Sequence, residues 1–202
     1  MAVESLKEQK NGSIQLDKLK LIEERTQNSI EMVKNLTDMN VLDQKGFTIS
    51  KKEVDIYELI SNLCETFKPQ TLKKNIQLKI ENKMDNFLVN TDAHVFTRIA
   101  DNLISNAIKF SPSGSVIEVV LEDKDDHIKL EVKDQGPGIH HHEQIHLFKA
   151  YTKLSSRPTA GESSIGLGLA ITKMFTELLQ GKIWCESEFG KGARFAVQIP
   201  VN

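Results

Sequence analysis

The chain has little that would hold it together covalently and nothing that would hold it in a membrane. Only two of its 202 residues are cysteine, Cys64 and Cys185. Two thiols make no disulfide framework and suit a reducing compartment. No stretch approaches the roughly 18 apolar residues that a spanning helix needs, and no charged-then-apolar leader opens the sequence. A soluble, cytoplasmic polypeptide is therefore expected, with any membrane segment of a longer parent lying outside it. An excess of either charge is also missing: 26 Lys and Arg stand against 28 Asp and Glu, a net charge of −2. That balance offers no general attraction for nucleic acid or anionic lipid. A polyanion must then be held by locally placed cations, N–H groups or metal. The length suits one substantial domain with a smaller piece, and 39% apolar and 27% charged residues imply a well-solvated surface.

Proline and glycine are absent from Ile14 to Asp43, which predicts one long N-terminal helix after a polar start. Leu19, Ile22, Ile30, Val33, Leu36 and Met39 form its apolar stripe, with polar breaks at Thr26 and Ser29. Gln44-Lys45-Gly46 supplies the stop. A lone helix of this kind needs a partner chain or its own domain to cover the stripe, so self-association is expected. This divides the chain into a helical segment, 1–46, and a domain, 47–202. In the second part the patterning predicts strands at Phe47–Ile49, Ile76–Ile80 and Phe87–Val89 and helices at Asp55–Phe67 and Asp92–Lys109. Val116–Glu122 and His127–Lys133 read as a hairpin. A loop-rich stretch from His140 to Ser164 precedes a helix to Leu179 and strands at Ile183–Glu186 and Arg194–Ile199. This is an α/β fold, a two-layer sandwich with a mixed, antiparallel-rich sheet.

Three strings concentrate the chemistry. In Asn102-Leu103-Ile104-Ser105-Asn106-Ala107-Ile108-Lys109-Phe110-Ser111 two carboxamides four apart share a helix face. Asp134-Gln135-Gly136-Pro137-Gly138-Ile139 sets a carboxylate directly before a glycine turn. Gly166-Leu167-Gly168-Leu169-Ala170-Ile171 opens an apolar-periodic helix with glycines, where free N–H groups attract phosphate. A metal-holding helix, an acidic acceptor and an anion cradle read together as an ATP site.

In this order and spacing the strings resemble the N box and first two glycine boxes of sensor histidine kinases. That family shares a superfamily, with a Bergerat-type ATP-binding fold, with gyrase, the heat-shock 90 chaperones and MutL. The resemblance runs from about Ile14 to the C-terminus. It implies Asn106 as the Mg²⁺ ligand through the ATP phosphates, a hard neutral donor of the kind Mg²⁺ accepts, with Asn102 facing the same way. Lys109 is an implied phosphate contact, and Phe110 holds the position of an aromatic near adenine. Asp134 is implied to accept from the adenine amino group, Gly136, Gly138 and Ile139 to let the backbone approach the base, and Gly166, Leu167, Gly168 and Leu169 to surround the phosphates. Phe148 to Pro158 resembles the mobile ATP lid, with Lys153 and Arg157 as phosphate contacts. Three positions depart from the pattern: Ser164 and Ile165 before the second glycine box, and Ala193 in the last, Gly190-Lys191-Gly192-Ala193-Arg194-Phe195. His142 and His146 are four apart within a histidine-rich run, but no cysteine is near and no metal site is expected there.

ATP-hydrolysing members of the superfamily carry a carboxylate four residues before the metal-binding Asn. Here that position is Asn102, and an amide cannot take a proton from water. An imidazole acceptor needs no such base, so kinase chemistry is favoured over hydrolysis. None of the six histidines lies in the N-terminal helix, which resembles the second helix of the family's dimerisation hairpin. The expected function is the ATP-binding catalytic portion of a two-component sensor histidine kinase, acting on a histidine elsewhere. Its expected partners are ATP, an acceptor-histidine hairpin, the receiver domain of a response regulator and a second copy through the N-terminal helix. The alternative is a non-catalytic nucleotide-binding module that docks a partner kinase.

Overall fold

The computed structural model describes residues 18, 19, 21, 22, 25, 26, 28–40, 48–124, 126–152, 154–159 and 166–201. Every described residue from 18 to 40 is helical, and we call the continuous part, 28–40, α1. No described helix is long and apolar enough to cross a membrane. Of the predicted first strand, Phe47 lies outside the described residues, and Thr48 and Ile49 have no regular structure. The strand is instead β1, Lys52–Asp55. Its polar first residues, Lys52 and Glu53, hide it from pattern reading. What makes it a strand is antiparallel pairing with β3, Leu88–Thr91, in the register Val54↔Val89.

Asp55 starts α2, Ile56–Thr66, by accepting a hydrogen bond from the Glu58 N–H. A short helix that the sequence pattern did not indicate, α3, Lys68–Lys73, follows with proline in its first turn. The chain then enters β2, Gln77–Lys83, and, after β3, the central helix α4, Ala93–Phe110. Asp92 is a well-used cap: one carboxylate oxygen accepts from His94 N at 3.0 Å and Val95 N at 3.1 Å. Its other oxygen accepts from Ser50 N at 2.9 Å and ties down the approach to β1.

The predicted hairpin is present as β4, Val116–Lys124, and β5, His127–Lys133. The loop-rich stretch contains one turn of helix, α5, His141–Gln144. It leads to α6, Gly168–Leu178, then β6, Lys182–Ser187, and β7, Ala193–Pro200. Five strands form one mixed sheet in the order β2-β4-β5-β7-β6, antiparallel except for the parallel pair β2 and β4. The core lies between its inner face and the helices. Val95, Phe96, Ile99, Leu103, Ile104 and Ile108 of α4 and Ile171 and Phe175 of α6 meet Ile117, Leu121, Leu130 and Val197 from the strands. Each such large side chain, once buried, contributes about 1.5–3 kcal/mol.

α1 sits on α4 by its polar side. Arg98 pairs with Asp38 and, at 3.0 Å, with Asp101. The Lys109 ammonium contacts both Glu31 carboxylate oxygens, at 2.6 and 2.7 Å. Asn35 and Asp38 are buried, whereas Leu19, Ile22, Val33 and Leu36 of the apolar stripe are exposed and Met39 packs on the core.

Candidate functional site

A cleft of about 400 Å³ opens between α4, the loop after β5 and the start of α6. Its walls include Asn106 and Phe110 from α4, Asp134, Gly138 and Ile139 from the loop, and Gly166, Gly168 and Leu169 at the entrance to α6. Three strings far apart in sequence thus face one space. Thr152, Leu154, Ser156, Arg157 and Pro158 complete it from one side and Ala193 and Phe195 from another.

Asp134 is placed where the β5–β7 ladder ends. Its N–H donates to Ala193 O at 2.9 Å, one step beyond the last strand pair, Lys133↔Arg194. Its side-chain Oδ1 accepts from Gly136 N at 2.8 Å and Ala193 N at 3.2 Å. Burial raises the carboxyl's pKa above the ordinary carboxylate range, and the two N–H donors partly offset that shift. Cys185 on β6 is pushed up to about 12, by burial first and the Asp134 charge second, so its thiol stays protonated.

Two of the glycines that line the cleft are required by contact. Gly138 has φ +68°, and a Cβ there would lie 2.1 Å from the Glu188 carbonyl oxygen. Gly166 has φ +77°, and its Cβ would meet Thr152 O at 2.5 Å. Gly166 also accepts from the Tyr151 N–H at 2.9 Å, which joins the lid base to the mouth of α6. The N-cap residue of α6 is Leu167, whose side chain cannot accept a hydrogen bond. That leaves first-turn N–H groups without a cap from this residue, a suitable place for an anion.

A scan against family descriptions matches residues 91–202, more than half of the chain, to the histidine kinase-, DNA gyrase B- and HSP90-like ATPases. The chain belongs to this family. Among curated relatives, sensor protein EvgS of Escherichia coli O157:H7 is 33% identical over 182 residues, covering 87% of this chain and 15% of EvgS. The autoinducer 2 sensor kinase/phosphatase LuxQ of Vibrio vulnificus is 27% identical over 203 residues, covering 98% of this chain and 24% of LuxQ. The chain therefore spans under a quarter of the length of these relatives. Among solved structures, a nucleotide-free catalytic domain of histidine kinase ThkA superposes with a TM-score of 0.67 at 25% identity, covering 75% of this chain and 96% of that one. Full-length ShkA, solved in complex with AMPPNP, superposes at 0.75 with 22% identity, covering 86% of this chain and 36% of ShkA, a likeness of fold.

The remaining residues singled out from the sequence fall into four groups. Gly136 and Leu167 are buried beside the cleft as part of its frame. Asn102 faces a second, polar cavity of about 200 Å³ under α1, and its Nδ2 donates to Gly168 O at 3.3 Å. Lys109 is absent from the cleft lining and is held by Glu31 instead. Lys153, Ser164 and Ile165 lie outside the described residues.

Beyond Tyr151, three described residues pin the end of the lid and the chain just after it. Ser155 donates to the Glu143 carboxylate through both N–H and hydroxyl, each at 2.7 Å. The Ser156 hydroxyl donates to Gly138 O at 2.8 Å, and the Thr159 hydroxyl donates to Ser111 O at 2.7 Å. Thr152, Leu154, Ser155 and Ser156 lie in the string that resembles the lid and Phe195 in the last glycine box, but nothing in those strings marks them individually, and Thr159 lies outside both. The described residues hold no cluster of three or more His, Cys, Asp or Glu arranged for a metal ion.

Proposed function

We propose that the chain is the ATP-binding catalytic portion of a two-component sensor histidine kinase, residues 47–202, preceded by part of a dimerisation hairpin, 1–46. The observation that carries this reading is the convergence of Asp134, Asn106, Phe110 and the Gly166–Leu169 turn on one cleft. Asp134 accepts from the adenine amino group and so selects adenine over guanine. Gly138 and Ile139 bring backbone against the base, and Phe110 packs near it. The α6 entrance, with Gly166, Leu167, Gly168 and Leu169, and Arg157 and Lys153 from the lid contact the phosphates. Asn106 is the one protein ligand assigned to Mg²⁺. A single amide oxygen without an acidic cluster fits an ion that keeps mainly phosphate and water ligands. When bound, Mg²⁺ supplies charge neutralisation on the phosphates.

The reaction proposed is attack by a neutral imidazole nitrogen on the γ-phosphorus. The bond from γ-phosphorus to the β,γ-bridging oxygen breaks, and ADP leaves with that electron pair. No group on this chain has to remove a proton from the nucleophile before attack, which accords with Asn102, an amide engaged with Gly168, at the position of the missing base. Catalysis then rests on positioning and on charge stabilisation. The acceptor histidine comes from a hairpin in the parent protein or in trans. The phosphoryl group passes on to a response-regulator receiver domain, and the exposed stripe of α1 pairs two copies in the cytoplasm.

The test is calorimetric titration with Mg²⁺ and a non-hydrolysable ATP analogue, followed by ATP with an acceptor-histidine hairpin added. Binding that Asp134→Ala abolishes or much weakens and that Asn106→Ala makes independent of magnesium supports the site. Phosphate appearing on the added histidine supports the kinase. Binding without transfer would favour the non-catalytic module, and no binding by folded protein would overturn both.

A further inference from the structure

The Asp134 loop is not self-supporting. Past the β5–β7 ladder its backbone loses strand partners, and the turn between β6 and β7 supplies replacements. Gly190 N donates to Pro137 O at 2.7 Å. Ile139 N donates to the Ser187 hydroxyl at 2.9 Å, and Gln144 Nε2 donates to Ile139 O at 3.1 Å and to Ser187 O at 2.8 Å. The Ser187 hydroxyl in turn donates its proton to Gly192 O at 2.7 Å.

That last bond reaches Asp134 through a single rigid unit. The Gly192 carbonyl and the Ala193 N–H belong to one peptide plane, which does not twist freely. On one side the plane's oxygen is fixed by Ser187. On the other its N–H donates to Asp134 Oδ1 at 3.2 Å. Gly192 itself, at φ +85°, lies so close under the loop that a Cβ would come within 2.1 Å of Asp134 O. Turning this peptide therefore turns a donor away from the carboxylate.

We infer that Ser187 is a positioning residue for base recognition: its hydroxyl orients the Gly192–Ala193 peptide, which aims the Asp134 carboxylate into the cleft. The inference rests on the adenine-binding role proposed for Asp134. Other charges near the carboxylate are occupied or distant in kind. Cys185 is neutral, Lys133 pairs with Glu118, Arg194 pairs with Glu131 and Glu186, and Arg157 approaches from the lid side of the cleft. The Ala193 N–H is thus one of two donors that favour the ionised form, together with Gly136 N.

The experiment titrates AMPPNP and GMPPNP, each with Mg²⁺, into the full chain as wild type, Ser187→Ala and Ser187→Thr, across pH. The alanine variant is expected to bind AMPPNP about three- to tenfold more weakly, the effect of loosening one hydrogen bond to a charged group. Its preference for adenine over guanine should shrink, and the pH below which AMPPNP binding fades should move upward, because the carboxylate has lost a donor. The threonine variant, which keeps the hydroxyl, should restore all three properties. Wild-type affinity in Ser187→Ala, or an equal loss for both nucleotides with an unmoved pH profile, would overturn the inference while leaving the ATP site standing. A wild type that binds neither nucleotide, or both alike, would overturn the role of Asp134 as well. If the alanine variant melts too low to titrate, Ser187→Cys, a weak donor, reads the same three quantities.

Discussion

The two sides of α4 are built on opposite principles. Toward the cleft the helix presents Asn106 and Phe110 to a space walled by glycines, apolar side chains and one partly buried carboxylate. Toward α1 it presents Arg98, Asp101, Asn102 and Ser105 to a small cavity shared with Glu31, Lys34 and Asn35. The first side is mostly apolar, and two of its polar groups, Asp134 and Ser156, are aimed by hydrogen bonds to backbone. The second carries ion pairs, Arg98 with Asp38 and Asp101 and Lys109 with Glu31. Asn102 and Asn106, one turn apart, therefore have different surroundings: Asn106 lines the cleft, while Asn102 donates to Gly168 O at the start of α6. A ligand site needs polar atoms left over for the ligand, and a docking surface needs none left over. That difference makes the two sides separable by mutation.

The largest effect should come from the docking side. Arg98→Met removes the cation that faces Asp38, whose side chain is only 10% exposed. Breaking such a buried pair costs about 3–5 kcal/mol. α1 can escape by undocking, so amide exchange over 28–40 should accelerate about a hundredfold or more, up to the docking free energy. Nucleotide affinity should stay within about twofold, since no cleft residue is touched; a large loss would join the two sides into one unit.

Asp134→Ala breaks the other side. Removing a charged acceptor from a partly desolvated cleft should weaken adenine-nucleotide binding by about 10- to 100-fold in calorimetry, with exchange over α1 unchanged.

The pH dependence sharpens the cleft half of the comparison. Asp134 has a raised folded-state pKa, so the folded protein holds this proton at pH values where the unfolded chain has released it. Its contribution to stability is therefore fully present at low pH, and is lost as pH rises from the ordinary carboxylate range through the raised value. Adenine binding runs the other way: the backbone N–H groups of Gly136 and Ala193 hold Oδ1, and an ionised carboxylate is the stronger acceptor for the amino group at the oxygen that is left. Affinity should fall on acidification, beginning above the ordinary carboxylate range, and Asp134→Asn should flatten both dependences.

The smallest effect tests the tie between the sides. Glu31→Gln gives Lys109, whose side chain is 15% exposed, a neutral acceptor in place of the carboxylate, and should change stability by about 1 kcal/mol. Nucleotide affinity should rise, because the more loosely held ammonium becomes available to phosphate. Unchanged affinity would leave Lys109 a purely structural tie.

Much of the cleft was legible because its demands are local. A glycine turn after Asp134 and a glycine-led helix at Gly168 need particular residues in particular order, and the order survives in the sequence. The frame around them was not legible. Ser187 carries no motif, and its importance comes from the β6–β7 turn lying against the β5 exit. The lid anchors Ser155, Ser156 and Thr159 act on backbone atoms and on Glu143, groups any sequence offers. β1 was misplaced for a related reason: Lys52 and Glu53 lack strand patterning, and only the partner β3 makes the segment extended.

By itself the sequence determined the α/β layering, the hairpin of β4 and β5, the length of the central helix and several residues that line the cleft, among them Asn106, Asp134 and Gly168. Those follow from periodicity and backbone sterics, which act over a few residues. Tertiary structure alone decided the parallel pairing of β2 with β4, the capture of Lys109 by Glu31 and the peptide relay from Ser187 to Asp134. Each joins groups dozens of residues apart, and a hydrogen bond or an ion pair is set by distance in space, which sequence order does not record.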